Sequence, residues 1–258
     1  MKLTYLGTAA AEGMPGIFCE CDNCQRARKA GGRDIRTRSQ SLVDDRLLID
    51  FPADTYMHFL NYNLPLTRIK HCLITHSHQD HLYVEELAMR AKWFCEIHED
   101  PSPFVFYSDT AGCDMLNDLK ERKHLTDAEL IVKQIPLYEP FMVDGYTVTA
   151  LRANHDPAST PVVYIIEHDG RTLFYSNDTG EYPEESMEYL RRLNKPFDTV
   201  SFDCTSACSH SNYAGHFSFE RCVAMRRVLT EMGVADAHTT FVLTHFSHNA
   251  DGVLYDEF

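Results

Sequence analysis

The sequence predicts an α/β protein in which two β-sheets pack face to face with helices on the outside. Two observations support this fold class. About ten short segments are rich in β-branched and aromatic residues and are bounded by turn residues, as strands usually are. Only four or five stretches have helical spacing, too few for a simple repeat of alternating strands and helices. Two stacked sheets covered by helices are one of the few layer architectures that fit this ratio.

The predicted strands lie, in chain order, at residues 2–7, 41–50 (two runs joined at Asp44 and Asp45), 71–75, 103–108, 130–135, 146–151, 161–167, 172–176, 199–202 and 239–244. Helices are predicted directly after His81 and at 110–122, 183–193 and 217–232, the last with Gly233 as its C-cap. The sequence has no internal repeat, no low-complexity tract and no long Pro/Gly/Ser linker. We therefore predict a single domain over residues 1–258.

Composition narrows the classes of partner. The chain has 258 residues, 44% of them hydrophobic, and its formal net charge is -14. An acidic surface disfavours long nucleic acid, whereas a small anionic ligand is compatible with it. No apolar run approaches the roughly 20 residues of a membrane span, and the N-terminus does not resemble a signal peptide. Nine cysteines in such a chain indicate reduced thiols, so we expect a cytoplasmic protein that does not associate with membranes.

A dense group of metal-binding side chains lies between a predicted strand and a predicted helix. It consists of His76, His78, Asp80 and His81. In an extended segment alternate side chains point the same way, so His76 and His78 are expected on one side. Asp80 and His81, at the start of the helix, can then point to a second position nearby. Imidazole and carboxylate together suit Zn, Mn, Fe or Co. We interpret the segment as a metal-binding turn rather than a solvated one.

Three further candidates follow later strands. His155, Asp178 and His245 come directly after or very near the ends of segments 146–151, 172–176 and 239–244. Loops at the carboxyl ends of strands are where α/β proteins usually place ligands. A lone histidine at a strand end is more often a surface or cap residue, but three such residues beside the first group favour a common site.

The motif His-x-His-x-Asp-His, followed by His, Asp and His at successive strand ends, resembles the metallo-β-lactamase superfamily. The resemblance implies a four-layer αββα sandwich with two divalent metals (Zn, Mn or Fe). It also implies the ligands of each metal: His76, His78 and His155 for the first, Asp80, His81 and His245 for the second, with Asp178 bridging both. Aspartate at position 178, where β-lactamases usually have cysteine, favours the phosphodiesterase and thioesterase branches.

A second metal site is predicted near the N-terminus. Cys19, Cys21 and Cys24 lie within six residues and need one more ligand to complete a tetrahedral structural zinc. We predict that His248, three residues after His245, is that ligand. The cluster, an insert at about residues 17–26, resembles that of the PhnP-like phosphodiesterases, in which a histidine at this spacing completes the zinc site. A related cysteine motif also occurs in proteins that resemble pyrroloquinoline-quinone biosynthesis protein B.

The resemblance implies a dinuclear hydrolase that cleaves a small phosphodiester, such as a cyclic nucleotide or cyclic ribose phosphate. A hydroxide bridging two metals about 3.5–4 Å apart would attack phosphorus. Asp80 is expected to be catalytic as well as a ligand. His216 resembles the histidine that protonates the leaving group in PhnP-like and tRNase Z-like members, the alternative being a helix-capping histidine. Homodimers are common among similar proteins, so a homodimer is compatible with the sequence.

Other functions remain open from the sequence. A hydrolase with the same metal site could act on a thioester or lactone. Alternatively, the protein could be a non-catalytic small-molecule carrier that resembles pyrroloquinoline-quinone biosynthesis protein B. A tRNA-processing nuclease would need an RNA-gripping arm, and the sequence shows none. The basic run between Arg26 and Arg38 could hold a second phosphate of the substrate, although a solvated loop is the more usual explanation. Cys204 and Cys208 are interpreted as ordinary thiols.

Overall fold

The computed structural model describes residues 1–98, 100–209, 214–249 and 254–258. The chain forms two compact units. The first unit consists of Met1–Gly7, Ser39–Ile135 and Ala158–Pro161, and the second of Thr8–Arg38, Pro136–Pro157 and Val162–Phe258. Each unit contains one β-sheet of six strands. The single domain expected over residues 1–258, with its cysteine-rich insert at about 17–26, stays a prediction.

The strands in chain order are β1 Leu3–Gly7, β2 Gln40–Val43, β3 Leu47–Ile49, β4 His71–Leu73, β5 Phe104–Ser108, β6 Leu130–Gln134, β7 Phe141–Val143, β8 Tyr146–Arg152, β9 Val162–His168, β10 Arg171–Ser176, β11 Thr199–Asp203 and β12 Thr240–Thr244. The α-helices are α1 Asp22–Ala30, α2 Thr55–Tyr62, α3 Thr110–Arg122, α4 Glu184–Arg192 and α5 Phe219–Glu231. Short 3-10 helices lie at Gly32–Asp34, Val84–Arg90 and Tyr255–Glu257.

The sheet of the first unit has the order β1-β2-β3-β4-β5-β6. Its first three strands pair antiparallel, and β3 to β6 run parallel. Asp44 and Asp45, which join β2 to β3, both have positive φ angles, 49° and 58°. Aspartate tolerates this conformation better than most residues, so the pair makes a tight hairpin turn. Helix α3 begins where the Asp109 carboxylate accepts the N–H of Gly112 at 2.9 Å.

The sheet of the second unit has the order β12-β11-β10-β9-β8-β7. Strands β10, β11 and β12 run parallel, whereas β7 to β10 pair antiparallel. Strand β10 is buried along five consecutive residues, as expected for a strand covered on both faces. Helix α5 begins where the Ser218 hydroxyl accepts the N–H of Arg221. The parallel arrangement brings the carboxyl ends of β10, β11 and β12 to the same edge.

Each unit has its own apolar core. In the first unit, Leu48, Phe106 and Leu116 belong to a cluster of fully buried side chains. In the second unit, Phe174, Val200 and Leu229 do so. Within the described part of the chain, every helix is too short or too polar to span a bilayer.

All ten predicted strand segments contain observed strands, and the segment 41–50 contains two. The predicted helices at 110–122, 183–193 and 217–232 are also present within a residue or two. The helix expected directly after His81 is instead a 3-10 helix that begins at Val84. Five elements were not predicted: the three-residue strand β7, the helices α1 and α2, and the short 3-10 helices Gly32–Asp34 and Tyr255–Glu257.

Candidate functional site

The loop after β4 carries the dense histidine motif, and one buried carboxylate organises it. Asp50 is fully buried and directly follows β3, the strand parallel to β4. Its carboxylate accepts the backbone N–H of Thr75 at 2.8 Å and the Thr75 hydroxyl at 2.9 Å. The other oxygen lies 2.7 Å from Nδ1 of His81. Asp50 therefore fixes the start of the loop and the orientation of one histidine near its end.

The hydrogen bond to Asp50 determines which His81 nitrogen is available. With the proton on Nδ1, Nε2 keeps its lone pair and lies 3.2 Å from a carboxylate oxygen of Asp80. A carboxylate that holds the second ring nitrogen of a histidine is the common outer-shell arrangement of metal sites. His81 is fully buried and Asp80 is 6% exposed. These two side chains thus offer one nitrogen and one carboxylate oxygen at close range.

His76 and His78 also meet within the first unit. Nε2 of His76 lies 3.0 Å from Nδ1 of His78. Two nitrogens at about 2.0–2.1 Å from one metal are separated by roughly 2.9–3.3 Å in octahedral or tetrahedral geometry. The separation therefore suits two neighbouring ligands of a single ion. The expectation that both rings address one side of the loop agrees with this contact.

In the second unit, three predicted ligands lie close together near the ends of β8, β10 and β12. They are His155, Asp178 and His245, with Asp178 between the two histidines. One carboxylate oxygen of Asp178 lies 3.5 Å from Nδ1 of His155, and the other lies 3.6 Å from Nε2 of His245. Asp178 is 3% exposed. Asp178 thus presents each of its oxygens to a different predicted ligand, and its role as a bridge between two metals stays a prediction.

A second buried carboxylate, Asp203 at the end of β11, orients the histidine after β12. Asp203 accepts the Thr205 hydroxyl at 2.6 Å, and that hydroxyl lies 2.7 Å from Nδ1 of His245. Nδ1 of His245 is also 3.3 Å from Asp203 itself. As with His81, Nε2 is left to face the ligand side. Burial by itself raises the pKa of Asp203, but contacts with His216 and His245 outweigh it and lower the pKa.

His216 lies between the two carboxylates of the second unit. Its Nδ1 is 3.2 Å from Asp178 and 3.4 Å from Asp203. Burial alone would lower the pKa of His216, but the two carboxylates raise it to about 10. Ligand atoms from Asp178, Asp203, His216 and His245 all lie within 4.8 Å of one another. In the metal-free chain the two carboxylates therefore favour the protonated form of this half-buried histidine.

The turn that carries Asp178 packs directly against the segment that carries His216. A Cβ atom added to Gly180 would lie 1.7 Å from the carbonyl oxygen of Ala214. No side chain fits there, so glycine is required for this close approach. The Gly180 N–H also donates to the carbonyl of Asn154 at 3.0 Å, which ties the turn to the residue before His155. Gly180 thus allows the segments that carry Asp178, His216 and His155 to lie close together.

Backbone strain marks the same positions. Asp50, Asp178 and His245 have φ angles of 65°, 49° and 64°. Non-glycine residues adopt this left-handed region rarely, and each costs about 1–3 kcal/mol. Residues held in this way concentrate at functional sites, where the surrounding structure over-determines them. The strain agrees with a functional role for the loops in which these residues lie.

The cysteine cluster comes together in the second unit as the sequence predicts. Sγ of Cys19 and of Cys21 lie 3.7 and 3.5 Å from Nδ1 of His248. Cys24 belongs to the same group, within 4.8 Å. Tetrahedral zinc with Zn–S of about 2.3 Å and Zn–N of about 2.0–2.1 Å requires S···N distances of roughly 3.6 Å. The four residues therefore fit a Cys3His zinc ion.

The charge state of the cysteines also suits a metal. The N–H of Cys24 lowers the pKa of Cys21 to about 6, and Cys19 and His248 act in the same direction. Burial raises the pKa of Cys24 to about 11, so a nearby cation is needed to deprotonate it. Nε2 of His248 lies 3.7 Å from the Glu12 carboxylate, which leaves Nδ1 for the ion.

The structure adds two residues that the sequence analysis did not identify, Asp50 and Asp203. Both lie at the carboxyl end of a strand in a parallel pair, which is the rule that led to Asp178. The same rule applied to every acidic residue at a strand end would have found them. The assignment of individual ligands to individual metals stays a prediction.

The sequence and the fold were compared with known proteins. The sequence matches the beta-lactamase superfamily domain over residues 45–246. No curated protein matches it significantly. Solved structures with a similar fold include a diphosphatase from the PhnP family, which is 23% identical with a TM-score of 0.73 over 99% of this chain and 89% of that chain.

Two other solved structures have a similar fold. Zinc-bound PqqB from Methylobacterium extorquens is 20% identical, with a TM-score of 0.71 over 96% of this chain and 90% of that chain. The short form of human tRNase Z is 19% identical, with a TM-score of 0.69 over 96% and 93%. At these identities the likeness concerns the fold, and it confirms the predicted α/β metallo-β-lactamase class. Since the family match extends over most of the chain, the protein belongs to the beta-lactamase superfamily.

Proposed function

We propose that the protein is a metal-dependent hydrolase that cleaves a small phosphodiester. Membership of the superfamily and the clusters of histidine and aspartate support the coarser part of this proposal, a hydrolase that depends on divalent metals. The finer part, the phosphodiester, is supported by aspartate rather than cysteine at position 178. The fold shared with a PhnP-family diphosphatase agrees with it.

One observation carries the proposal. In each unit a fully buried carboxylate holds the Nδ1 side of a buried histidine, Asp50 with His81 and Asp203 with His245. Burying a carboxylate is costly, and these two are placed where they favour a proton on Nδ1 of each histidine. A purely structural histidine would not need its second nitrogen kept unprotonated. The arrangement is the one that metal ligands require.

The chain's own side chains have distinct tasks in this proposal. Divalent metal ions held by these residues would supply Lewis-acid chemistry, which would activate a water and offset charge on the phosphate oxygens. Asp178 and Asp80 supply carboxylate oxygens, and the histidines supply neutral nitrogens. The division of the seven ligands between two ions rests on the family resemblance.

His216 is assigned the proton for the leaving alkoxide. Its Nδ1 is held by Asp178 and Asp203, and its side chain is 16% exposed, so the ring keeps access to solvent. An imidazole anchored through one nitrogen can donate a proton from the other to a group at the mouth of the site. Removal of the proton donor matters most for poor leaving groups.

The test is hydrolysis of bis(p-nitrophenyl) phosphate by the purified chain, with and without added Mn²⁺ or Zn²⁺. Asp80→Ala is the test variant. Asp114→Ala, which removes an exposed carboxylate from α3, is the matched control. We expect metal-dependent cleavage that is lost in Asp80→Ala and kept in Asp114→Ala. Metal content is measured on each sample so that a loss of activity can be related to a loss of metal.

The opposite outcome separates this proposal from its alternatives. If the chain holds its metals and does not cleave the phosphodiester, the phosphodiesterase assignment is wrong. Cleavage of an acyl thioester or lactone by the same sample would then indicate a hydrolase of carboxylic esters. Absence of both activities with metals bound would favour a non-catalytic carrier of a small molecule. The similarity to PqqB concerns the fold alone.

A further inference from the structure

The arginines of the basic run between Arg26 and Arg38, which lies in the second unit, have different contacts in the structure. Most of its arginines have a partner: Arg26 pairs with Glu257, Arg33 with Asp256, Arg28 donates to the carbonyl of Gly16, and Arg38 donates to the carbonyl of Ala11. These side chains hold the segment and the residues at 255–257 together. They are thereby engaged in structure rather than available to a ligand.

Arg36 differs from its neighbours because it is buried. It is 9% exposed, and its backbone pairs antiparallel with Met14. Its guanidinium carbon lies 4.9 Å from the centre of the Phe246 ring. Among the residues that the structure describes, its guanidinium makes no ion pair or hydrogen bond. Burial lowers the pKa of Arg36, although arginine remains charged at neutral pH.

A buried cation without a hydrogen-bonded anion is costly to a fold, because a charge removed from water needs a partner to offset it. The Asp34 carboxylate acts on the charge of Arg36, but one of its oxygens accepts the N–H of Tyr255 at 2.8 Å. Asp256 and Glu257 are already paired with Arg33 and Arg26. An anion bound beside the guanidinium would therefore offset part of the cost of burying Arg36.

Arg36 lines a cavity of about 330 Å³. The other described residues of its wall are Ala207, Leu243, Phe246, Ser247, Tyr255 and Phe258. Phe246 and Phe258 meet edge to face, with ring centres 5.2 Å apart. The cavity thus combines one cation with aromatic walls, in a volume sufficient for a small organic molecule.

The cavity adjoins the candidate metal centre along the chain. Phe246 directly follows His245, and Ala207 lies two residues after Thr205, whose hydroxyl contacts His245. The backbone N–H of Ser247 donates to the carbonyl of Thr205 at 3.2 Å, which joins these two wall segments. A ligand in the cavity would therefore lie against the loop that carries a predicted metal ligand.

We propose that this cavity is a substrate subsite for an organic anion, with Arg36 holding a phosphate or carboxylate group and the aromatic walls covering a flat apolar part of the same molecule. The planar guanidinium can donate two parallel hydrogen bonds to such a group. The inference rests on the proposed function. It deepens it by requiring a substrate with a second anionic group beside the one that is cleaved.

The test is calorimetric binding of 1-naphthylphosphonate to the full chain. Its P–C bond resists ester hydrolysis, so binding is measured without turnover. 1-Naphthylmethanol is the uncharged probe and methylphosphonate is the probe without a ring. Arg36→Met keeps an unbranched apolar stem and removes the charge. Arg38→Met makes the same change at a half-buried position of the same run, outside the cavity wall.

We expect 1-naphthylphosphonate to bind more tightly than either partial probe. Arg36→Met should weaken it at least about tenfold, the effect of losing a charge-assisted contact. Arg38→Met should change it less than about twofold. Equal affinity in Arg36→Met and wild type would overturn the proposal and place the phosphonate elsewhere, including at the metals.

A second variant covers the case in which Arg36→Met fails to fold. Tyr255 is 53% exposed and forms part of the cavity wall, so Tyr255→Ala should leave the fold intact while weakening 1-naphthylphosphonate. Unchanged affinity in that variant would also refute the subsite. A chain that binds the probe through Arg36 but cleaves no phosphodiester would keep the subsite and lose the proposed reaction, so the two failures are distinguishable.

Discussion

Substitution of Asp50 by asparagine isolates the effect of one buried charge on a candidate metal ligand. Asp50 has a φ of 65°, a conformation that asparagine tolerates well, so the backbone is preserved. The retained amide oxygen can still accept both hydrogen bonds from Thr75, at 2.8 and 2.9 Å. The new NH2 group would lie 2.7 Å from Nδ1 of His81, where two donors cannot face each other.

The magnitude follows from that one contact. The imidazole proton must move from Nδ1 to Nε2, which is the nitrogen that faces Asp80 at 3.2 Å. A charge-assisted hydrogen bond contributes about 1.5–3 kcal/mol, which corresponds to a weakening of metal binding of roughly 10- to 100-fold. The loss expected when an outer-shell partner of a metal ligand is removed has the same size.

The assay is calorimetric titration of metal-free protein with Mn²⁺, together with ¹⁵N NMR of the histidine tautomers. Asp45→Asn is the matched control, because Asp45 also has a positive φ of 58° and its side chain is exposed. We expect wild-type affinity in the control and a weakened site in Asp50→Asn, with His81 protonated on Nε2. Wild-type metal affinity in Asp50→Asn would refute the orienting role of Asp50.

Four further predictions concern other parts of the chain. His216→Ala should keep its metals but lose most turnover on a phosphodiester with a poor leaving group, as measured by metal content and kcat; unchanged kcat would remove its role as proton donor. Gly180→Ala should destabilise the fold by about 1–3 kcal/mol in urea titration, because its Cβ meets the Ala214 carbonyl; wild-type stability would contradict the close approach. Cys24→Ser should lower the zinc content by one equivalent and reduce the thermal midpoint, whereas full zinc content would exclude Cys24 as a ligand. Burial lowers the pKa of His58 to about 4 from 6.5, so between these pH values the unfolded chain binds a proton at this histidine and the folded chain does not. Stability should therefore fall by about 3 kcal/mol more in wild type than in His58→Gln between pH 6.5 and 4, and equal losses in both would show that His58 is not responsible.

Much of the fold is readable from the sequence because its strands are buried and apolar. β10 and β5 are rich in β-branched and aromatic residues and are bounded by polar turns, so local composition predicts them directly. Helix α1 escapes such reasoning because only Cys24 and Ala27 of its nine residues are buried. Helix α2 escapes for the opposite reason. Its apolar residues include exposed Tyr56 and Leu60, so no amphipathic period is visible.

The candidate ligands were predictable to a greater extent than the residues that orient them. His76 to His81 lie in one short segment with a recognisable spacing, and His155, Asp178 and His245 follow predicted strands. Asp50 is 31 residues from the histidine it holds. Its role depends on β3 pairing with β4, a register that a single sequence does not disclose. Long-range contacts of this kind are fixed by topology, which local pattern does not encode.

The cysteine cluster joins parts of the chain that are made at very different times. Cys19 and His248 are 229 residues apart, and bringing the ends of so long a loop together costs about 5 kcal/mol of chain entropy. The second unit combines residues 8–38 with residues 162–258. During synthesis the first cysteines must therefore wait, without their fourth ligand, until almost the whole chain has left the ribosome.

An ion with four ligands can consequently form at this cluster only after translation has passed residue 248. A chain that stops earlier leaves three thiols in six residues with an open coordination position. Such a group is exposed to oxidation and to competing soft metals. Zinc acquisition by all four ligands would then be a late step in the maturation of this unit, because it requires His248.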